Sequence, residues 1–432
     1  MIRAIAIDLR RSAALGAGLI VLLLGLAAMF LIFGQQAWSG RWSPFAATLR
    51  SAFGFTWSLT LAAGAWLVDR DRLGRVGELF AGTPRPVWQR VASPAVALSL
   101  TVGVAYLLTV AVCLPLVAGS ATWFNPAVLG VIATGLPLLL AAGLLGMGVG
   151  TVVPSRFTAP ALVVAGLIIA SAPGLVSYHV SGRAQQFVTL LSPVLGQNGD
   201  FVIVPARLSL AQAVWAVALA ATGFLLMAIR RAVAVVPAVA GAVTAMLLLP
   251  AGGSVYAADT GARELVCADG EPRVCVRRVH ASILPGVVAP ARDALRRLSR
   301  LPNPPSAVEE GIDVIDGVPD SPTASVATFV IRMGFAPEIS ADEVALQVLT
   351  GAGVTACGDT TEWEKADGAR VAAAYWLLET PPPATGRRAV EAWQTLAALP
   401  AAEQVARVGA LREAGLACDL DSLWGILVDG PR

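Results

Sequence analysis

Seven apolar runs, each near 20 residues, constrain this chain more than any other feature; they lie at roughly 14–34, 46–68, 93–119, 127–152, 159–177, 209–229 and 232–251. A helix of about 20 apolar residues covers the ~30 Å hydrocarbon core of a bilayer and satisfies its own backbone polar groups there. The runs therefore predict an all-α polytopic membrane bundle of about 7 transmembrane helices. Composition agrees, since 56% of the 432 residues are hydrophobic and only 14% are charged, where soluble domains carry about 25%. Only Arg230 and Arg231 separate the last two runs. Their joint length is too great for one crossing, which predicts a tight turn, with a re-entrant hairpin as the alternative.

Arginine placement gives the orientation. With the N-terminus cytoplasmic, the inner segments hold Arg3, Arg10, Arg11, Arg70, Arg72, Arg75, Arg85, Arg90, Arg156, Arg230 and Arg231. The outer short segments hold Arg41, Arg50, Arg183 and Arg207. Eleven against four is the bias expected of a positive-inside topology. Seven spans then place the chain beyond about Gly253 outside the cell, in the plasma membrane's outer compartment. The expected organisation is a six-span domain over 1–231, a seventh span over 232–252 and an extracytoplasmic α+β domain over 253–432.

The cysteines bear on the same point. Cys113 falls inside the third run, where a thiol packs as a small hydrophobe. Cys267, Cys275, Cys357 and Cys418 all lie in the tail. An even number confined to one segment suits an oxidising compartment. Four cysteines allow three pairings, and nearest neighbours give Cys267–Cys275, across a turn at ADGEP, and Cys357–Cys418. Zinc is the rival reading, but His280 is the only tail histidine and no CxxC or HxxxH spacing occurs, so no metal site is expected.

The tail is long enough to fold by itself. ELVC and RVCV read as a hairpin and ASVATFVIRM as a buried strand. VVAPARDALRRLSRL, TEWEKADGARVAAAYWLLE and AAEQVARVGALREAGL have helical spacing, and SADE at 340–343 is a capping box opening another helix. Trp363, Trp376, Trp393 and Trp424 read as core positions. LPNPP and ETPPPATG are stiff connectors. Arg230, Arg231, the last apolar run and SVYAAD also resemble a signal peptide, whose cleavage after Ala257 would release the tail; an uncleaved seventh span is the plainer reading.

Several function classes are excluded or disfavoured. A nucleotide-binding P-loop needs a lysine after its glycines, and the only lysine is Lys365, in WEKAD. HExxH cannot form from His179 and His280 alone, and no GxSxG elbow occurs. The chain is thus read as no enzyme and as holding no cofactor. Scattered arginines without a basic stripe argue against nucleic acid. Apart from the flanks, where Arg50 is counted, the runs carry no Asp, Glu, Lys or Arg, and ion-coupled carriers usually keep an intramembrane carboxylate. The energy source is therefore expected elsewhere. FGFTWSLT offers Thr56, Trp57, Ser58 and Thr60 as a possible pathway lining, although such hydroxyls more often satisfy their own helix backbone. Gly146 and Gly150 in GLLGMGVG have the spacing of close helix packing.

One loop is much more polar than a connection requires. DRDRLGRVGELFAGTPRPVWQRV, from Asp69 to Val91, carries five arginines, three acids and two prolines. Asp69 or Asp71 can cap a short helix there, with Leu73, Val76, Leu79 and Phe80 on one apolar face and Arg72, Arg75 and Glu78 elsewhere. Pro84 and Pro86 in TPRP end it, Arg85 lies between them, and Trp88 suits the membrane interface. Such a helix either lies on headgroups or docks in a partner.

With ELFAGTPRPVWQR after the second run, and with its arginine-for-lysine, alanine-rich usage, the region 1–231 resembles the permease subunits of ABC-2 type transporters of high-GC Gram-positive bacteria. The resemblance implies a six-span bundle that forms a homo- or heterodimer with a permease partner. It also implies a separate ABC ATPase subunit that binds the ATP. The segment 70–85 then corresponds to the coupling helix, with Arg72, Arg75, Val76, Glu78, Leu79, Phe80, Pro84 and Arg85 at the contact. The seventh run and the cysteine-bearing tail depart from the plain family. The expected function is an ATP-driven transporter subunit, an exporter; the alternative is a non-transporting membrane receptor or assembly protein whose outer domain binds a partner.

Overall fold

A computed structural model describes residues 14–73, 86–176, 183–195, 199–229, 232–249, 256–312, 322–331, 340–357 and 360–430. The chain divides into two compact units, Met1–Asp259 and Thr260–Arg432.

The first unit is a helical bundle. Its helices are α1 (Ala14–Ala27, prolonged by a π-turn over Ala28–Ile32), α2 (Trp42–Ser51), α3 (Phe53–Leu73), α4 (Val87–Ala118), α5 (Ala127–Val152), α6 (Thr158–Val176), α7 (Arg183–Leu191), α8 (Ala206–Ile229) and α9 (Val236–Leu248). Among the described residues six helices are long and apolar enough to cross a membrane, α2 and α3 counting as one over Trp42–Arg70. The seventh run is also helical but shorter, Ala232–Leu248, about 26 Å long and thus at the lower end of what a bilayer core needs. It nevertheless carries the chain back along the bundle. Strand β1 (Val202–Ile203) precedes α8, and strand β2 (Ala257–Ala258) follows α9, and the two pair antiparallel. Because α8 is ~36 Å long, only a return of similar length brings Ala257 opposite Ile203.

The connections thus gather at alternating ends. One end holds the segments after α1, after α4, around α7 and after α9. There Gly40 N–H donates to the Leu116 carbonyl at 3.1 Å, and Asp259 N–H to that of Phe201 at 2.9 Å. The other end holds the C-terminal ends of α3, α5 and α8, with Arg70 and Arg72 on α3 and Arg156 just after α5.

Glycines set the central packing. A Cβ on Gly146 would lie 1.9 Å from the Leu61 carbonyl oxygen, and one on Gly64 2.2 Å from that of Gly143. Helices α3 and α5 therefore approach backbone to backbone, as the Gly146/Gly150 spacing predicts. Gly223 brings α8 as near, its Cβ position 2.4 Å from the Leu144 carbonyl carbon. Apolar residues such as Leu19, Leu31, Ile168 and Leu247 cover the outer surface, as a lipid-facing surface requires.

The second unit has its own core of Val274, Val287, Leu298, Phe329, Val348, Leu377 and Leu411, among others. Strands β3 (Leu265–Cys267), β4 (Arg273–Arg277), β5 (Ala307–Glu310) and β6 (Val326–Phe329) form one sheet in that order. β3 and β4 are the expected hairpin; β4–β5 and β5–β6 are parallel, so the sheet is mixed. Helix α10 (Leu284–Leu298) makes the crossover from β4 to β5. Helices α11 (Ala341–Leu349), α12 (Trp363–Leu378), α13 (Arg387–Ala397), α14 (Ala401–Leu416) and α15 (Leu423–Val428) complete the unit. Ser340 caps α11, its Oγ accepting from the Glu343 N–H at 3.1 Å; the Glu343 carboxylate turns away and accepts from Gln347 at 3.3 Å. Trp376, Trp393 and Trp424 pack on the core. Trp363, expected there too, is 51% exposed, at the first residue of α12.

Candidate functional site

The polar loop after the second span begins later than its charges suggest. Helix α3 continues through Leu73, so Asp69 and Asp71 lie inside it and not at the start of a new helix. Arg70, Arg72 and Leu73 have good helix propensity and carry α3 through a stretch whose charge alone reads as a break. Arg72, half exposed, lies 3.9 Å from Asp69, and the Arg70 guanidinium 5.9 Å from the Trp66 ring centroid. Arg75, Val76, Glu78, Leu79, Phe80, Pro84 and Arg85 lie outside the described residues. Pro86 then caps α4, and Trp88 at its start is half exposed, as an interfacial tryptophan requires.

The hydroxyls of the second span turn inward to backbone. Thr56 donates to the Ala52 carbonyl at 3.1 Å, Ser58 to Gly54 at 2.7 Å and Thr60 to Thr56 at 2.6 Å. Trp57 Nε1 ties α3 to α5 through the Leu138 carbonyl at 3.1 Å. Thr56 borders a small crevice shared with Val21, Tyr106 and Thr109.

A buried polar cluster occupies the opposite end of the bundle from the last turn of α3. Arg41 places Nη1 at 2.8 and 2.7 Å from the two Asp200 oxygens, with both side chains almost fully buried. Its Nη2 donates to the carbonyls of Gln36 and Ala37 at 3.0 and 2.9 Å. Trp123 Nε1 donates to Asp259 Oδ2 at 3.0 Å. Arg50, counted on a flank in the sequence, lies within the span Trp42–Arg70 and is 1% exposed. The expectation that the spans hold no ionised side chain is corrected at this residue. Its position near the start of a hydrophobic run gave the flank reading; the earlier start of α2 draws it in. The cluster joins residues far apart in the chain, so no local motif announces it.

In the second unit both expected disulfides form, Cys267–Cys275 between directly opposed strand residues and Cys357–Cys418 across 61 positions. Cys113 is free and buried. His280 Nδ1 lies 2.5 Å from Glu310 Oε1, both side chains fully buried, and Glu310 Oε2 accepts from the Arg277 N–H at 2.7 Å. This pair was not foreseen, since its members lie on different elements. Arg412 donates to the Ala352 and Ala324 carbonyls at 2.7 Å each, and Arg370 to Val354 at 3.2 Å. Burial lowers both guanidinium pKa values from the ordinary range, Asp367 opposing that shift at Arg370. The hydrogen bond from Arg297 holds Asp293 below the usual carboxylate range. Among the described residues no group of three or more His, Cys, Asp or Glu is placed to hold a metal ion.

No family model matches the chain, and neither a curated protein nor a solved structure is detectably similar to it.

Proposed function

We propose that the chain is the membrane-spanning subunit of an ATP-driven transporter of the ABC-2 type, an exporter, energised by a separate ATPase that docks on the 69–91 loop. The observation that carries this reading is the alternation of the bundle's ends. The last turn of α3, with Arg70 and Arg72, lies at the same end of the bundle as the segment holding Arg156. The buried Arg41–Asp200 ion pair and the β1–β2 ribbon close the other end. Arginine-rich connections on one side are what a cytoplasmic face requires, and that is where an ATPase is available. The sequence supplies no phosphate-binding lysine of its own in a P-loop, which suits a division of labour between two subunits. In this reading the N-terminus is cytoplasmic, the second unit is extracellular, and two permease subunits, identical or different, enclose the pathway. ATP closes the ATPase subunits and moves the loop.

Leu79→Asp and Phe80→Asp test the contact. Burying either side chain in a partner is worth ~1.5–3 kcal/mol, and the carboxylate adds a desolvation cost. Each variant should insert normally and keep the second unit folded, yet lose the co-purifying ATPase and ATP-driven export. Unchanged recovery of the ATPase with Phe80→Asp would remove the proposal. A second reading is favoured by the independent core and paired disulfides of the second unit: a receptor or assembly protein whose outer domain binds a partner. That reading predicts no ATPase in the pull-down of the wild-type chain.

A further inference from the structure

Two arginine–aromatic pairs stand on the outer surface of the bundle at the end where α3 finishes. The Arg70 guanidinium carbon lies 5.9 Å from the Trp66 ring centroid, and the Arg156 guanidinium carbon lies 4.9 Å from that of Phe157. All four side chains are exposed, Phe157 to 65%. The turn from α5 to α6, which carries the second pair, is tied in place. Ser155 N–H donates to the Val153 carbonyl at 2.9 Å, and Thr158 N–H to that of Ser155 at 3.0 Å. Thr158 Oγ1 donates to the Val153 carbonyl at 2.7 Å, and Phe157 N–H to Ser155 Oγ at 3.3 Å. An ordered backbone thus presents a bare aromatic ring outward, beside a cation.

Helix packing sets the two pairs at one depth. α3 finishes and α6 begins at this end, so the two run in opposite directions. They touch at Gly166, where a Cβ would lie 3.0 Å from Ser58 Cα. Trp66 stands eight residues on from Ser58, and Thr158 eight back from Gly166, so each is ~12 Å along its helix from that contact. Phe157 adjoins Thr158, and the two rings therefore mark the ends of the spans Trp42–Arg70 and Thr158–Leu175. Aromatic rings at span ends sit where hydrocarbon gives way to headgroups. Arg70 lies one turn beyond Trp66, ~6 Å further out, and the headgroup layer on each side of the core is about 5–7 Å deep. Among the described residues no carboxylate pairs with Arg156. A guanidinium held over a ring by cation–π attraction keeps its N–H donors for a phosphate. Phosphate alone would use the arginines and leave both rings bare; a molecule with acyl chains below its phosphate covers all four side chains.

We infer that this corner, the end of α3 and the α5–α6 turn, seats an anionic phospholipid, its phosphate on Arg156 and Arg70 and its acyl chains against Phe157 and Trp66. The inference is independent of the transporter reading, because no ATPase enters its test. The full-length protein in a neutral detergent is titrated with phosphatidylglycerol or phosphatidylcholine of identical chains, and bound lipid is counted by native mass spectrometry. Phosphatidylglycerol should bind at least tenfold more tightly. Arg156→Gln should weaken phosphatidylglycerol at least fivefold and leave phosphatidylcholine unchanged, while Arg156→Lys keeps part of the preference. Arg70→Gln carries the same expectation from the other helix and keeps the test decisive if the turn does not tolerate Arg156→Gln. Phe157→Ala should weaken both lipids, as contact with acyl chains requires. Arg90→Gln removes an equal charge from the start of α4, a helix that packs on α1 and α5, and should leave both affinities within twofold of wild type. Equal affinity for the two lipids, wild-type binding in both Arg156→Gln and Arg70→Gln, or an equal loss in Arg90→Gln would each overturn the inference. So would displacement of phosphatidylglycerol by inorganic phosphate beyond that by chloride of equal ionic strength, which would assign the arginines to a free anion.

Discussion

Asp200→Asn removes one negative charge from the Arg41 pair while keeping its shape, and so isolates what the ion pair does. Both side chains are nearly withdrawn from solvent, 5% exposed for Arg41 and 7% for Asp200, so water cannot replace the lost charge. Arg41 keeps the carbonyls of Gln36 and Ala37, which orient the guanidinium without neutralising it. Breaking a buried pair from one side costs about 3–5 kcal/mol. At roughly 2–4 °C per kcal/mol for a protein of a few hundred residues, Tm should fall on the order of 10 °C. Fluorescence-detected size exclusion after heating reads this in detergent. The double variant Arg41→Met/Asp200→Leu removes both charges and should recover more than half of the loss, since apolar replacement of a whole buried pair is often neutral. Asp200→Asn within 1 °C of wild type, or additive losses in the double variant, would refute the assignment of this pair as a buried clamp.

The glycine contacts predict a sharp contrast: Gly146→Val should abolish a monodisperse bundle, because its Cβ would sit 1.9 Å from the Leu61 oxygen, whereas Gly16→Val, with nothing within 4 Å, should purify like wild type. Loop-closure entropy makes the two disulfides unequal, with sequence separations of 61 and 8; removal of Cys357–Cys418 as a serine pair should cost about 4 kcal/mol and removal of Cys267–Cys275 about 2.6 kcal/mol, measured as protease resistance of the second unit in urea. Asp293 has a folded pKa below its unfolded value of about 3.9, so its contribution is present above that value and lost as pH falls through the folded pKa; being largely exposed it is worth at most ~1 kcal/mol, and Asp293→Asn should flatten the acid limb of stability below about pH 4. A reporter fused after Gly253 should be active only on the far side of the membrane from the 69–91 loop; activity on the same side would remove the proposed orientation.

The features legible in the sequence are those with a local period. Apolar runs gave the six span-length helices, most of them to within a few residues, while the seventh run forms a shorter helix; the Gly146/Gly150 spacing gave a helix contact whose partner, Leu61 and Ala65 on α3, it did not name. Nearest-neighbour spacing gave both cysteine pairs. What escaped depends on distant residues or on where a helix ends. Asp69 and Asp71 read as a cap because charge is a poor signal of termination when a helix simply leaves the membrane. Arg50 read as a flank because a hydropathy window begins at apolar residues, while α2 begins at Trp42. The parallel pairing of β4, β5 and β6 has no signature in strands of four or five residues, and Trp363 sits in a helical pattern like that of the tryptophans that pack on the core. The β1–β2 ribbon, two residues a side, is invisible to any pattern.

That ribbon also puts a clock on assembly. Its first strand is made at Val202 and its second at Ala257, so the ribosome must add the whole of α8, α9 and their connections in between. At about 5–20 residues per second that delay is roughly 3–10 s. Until then Val202 and Ile203 lack the β-partner they have in the finished bundle, and the Phe201 carbonyl lacks the Asp259 N–H. The last stitch of the bundle is therefore drawn by the residues that immediately precede the second unit. A chain stalled before Ala257 would hold every long helix and still lack its closure.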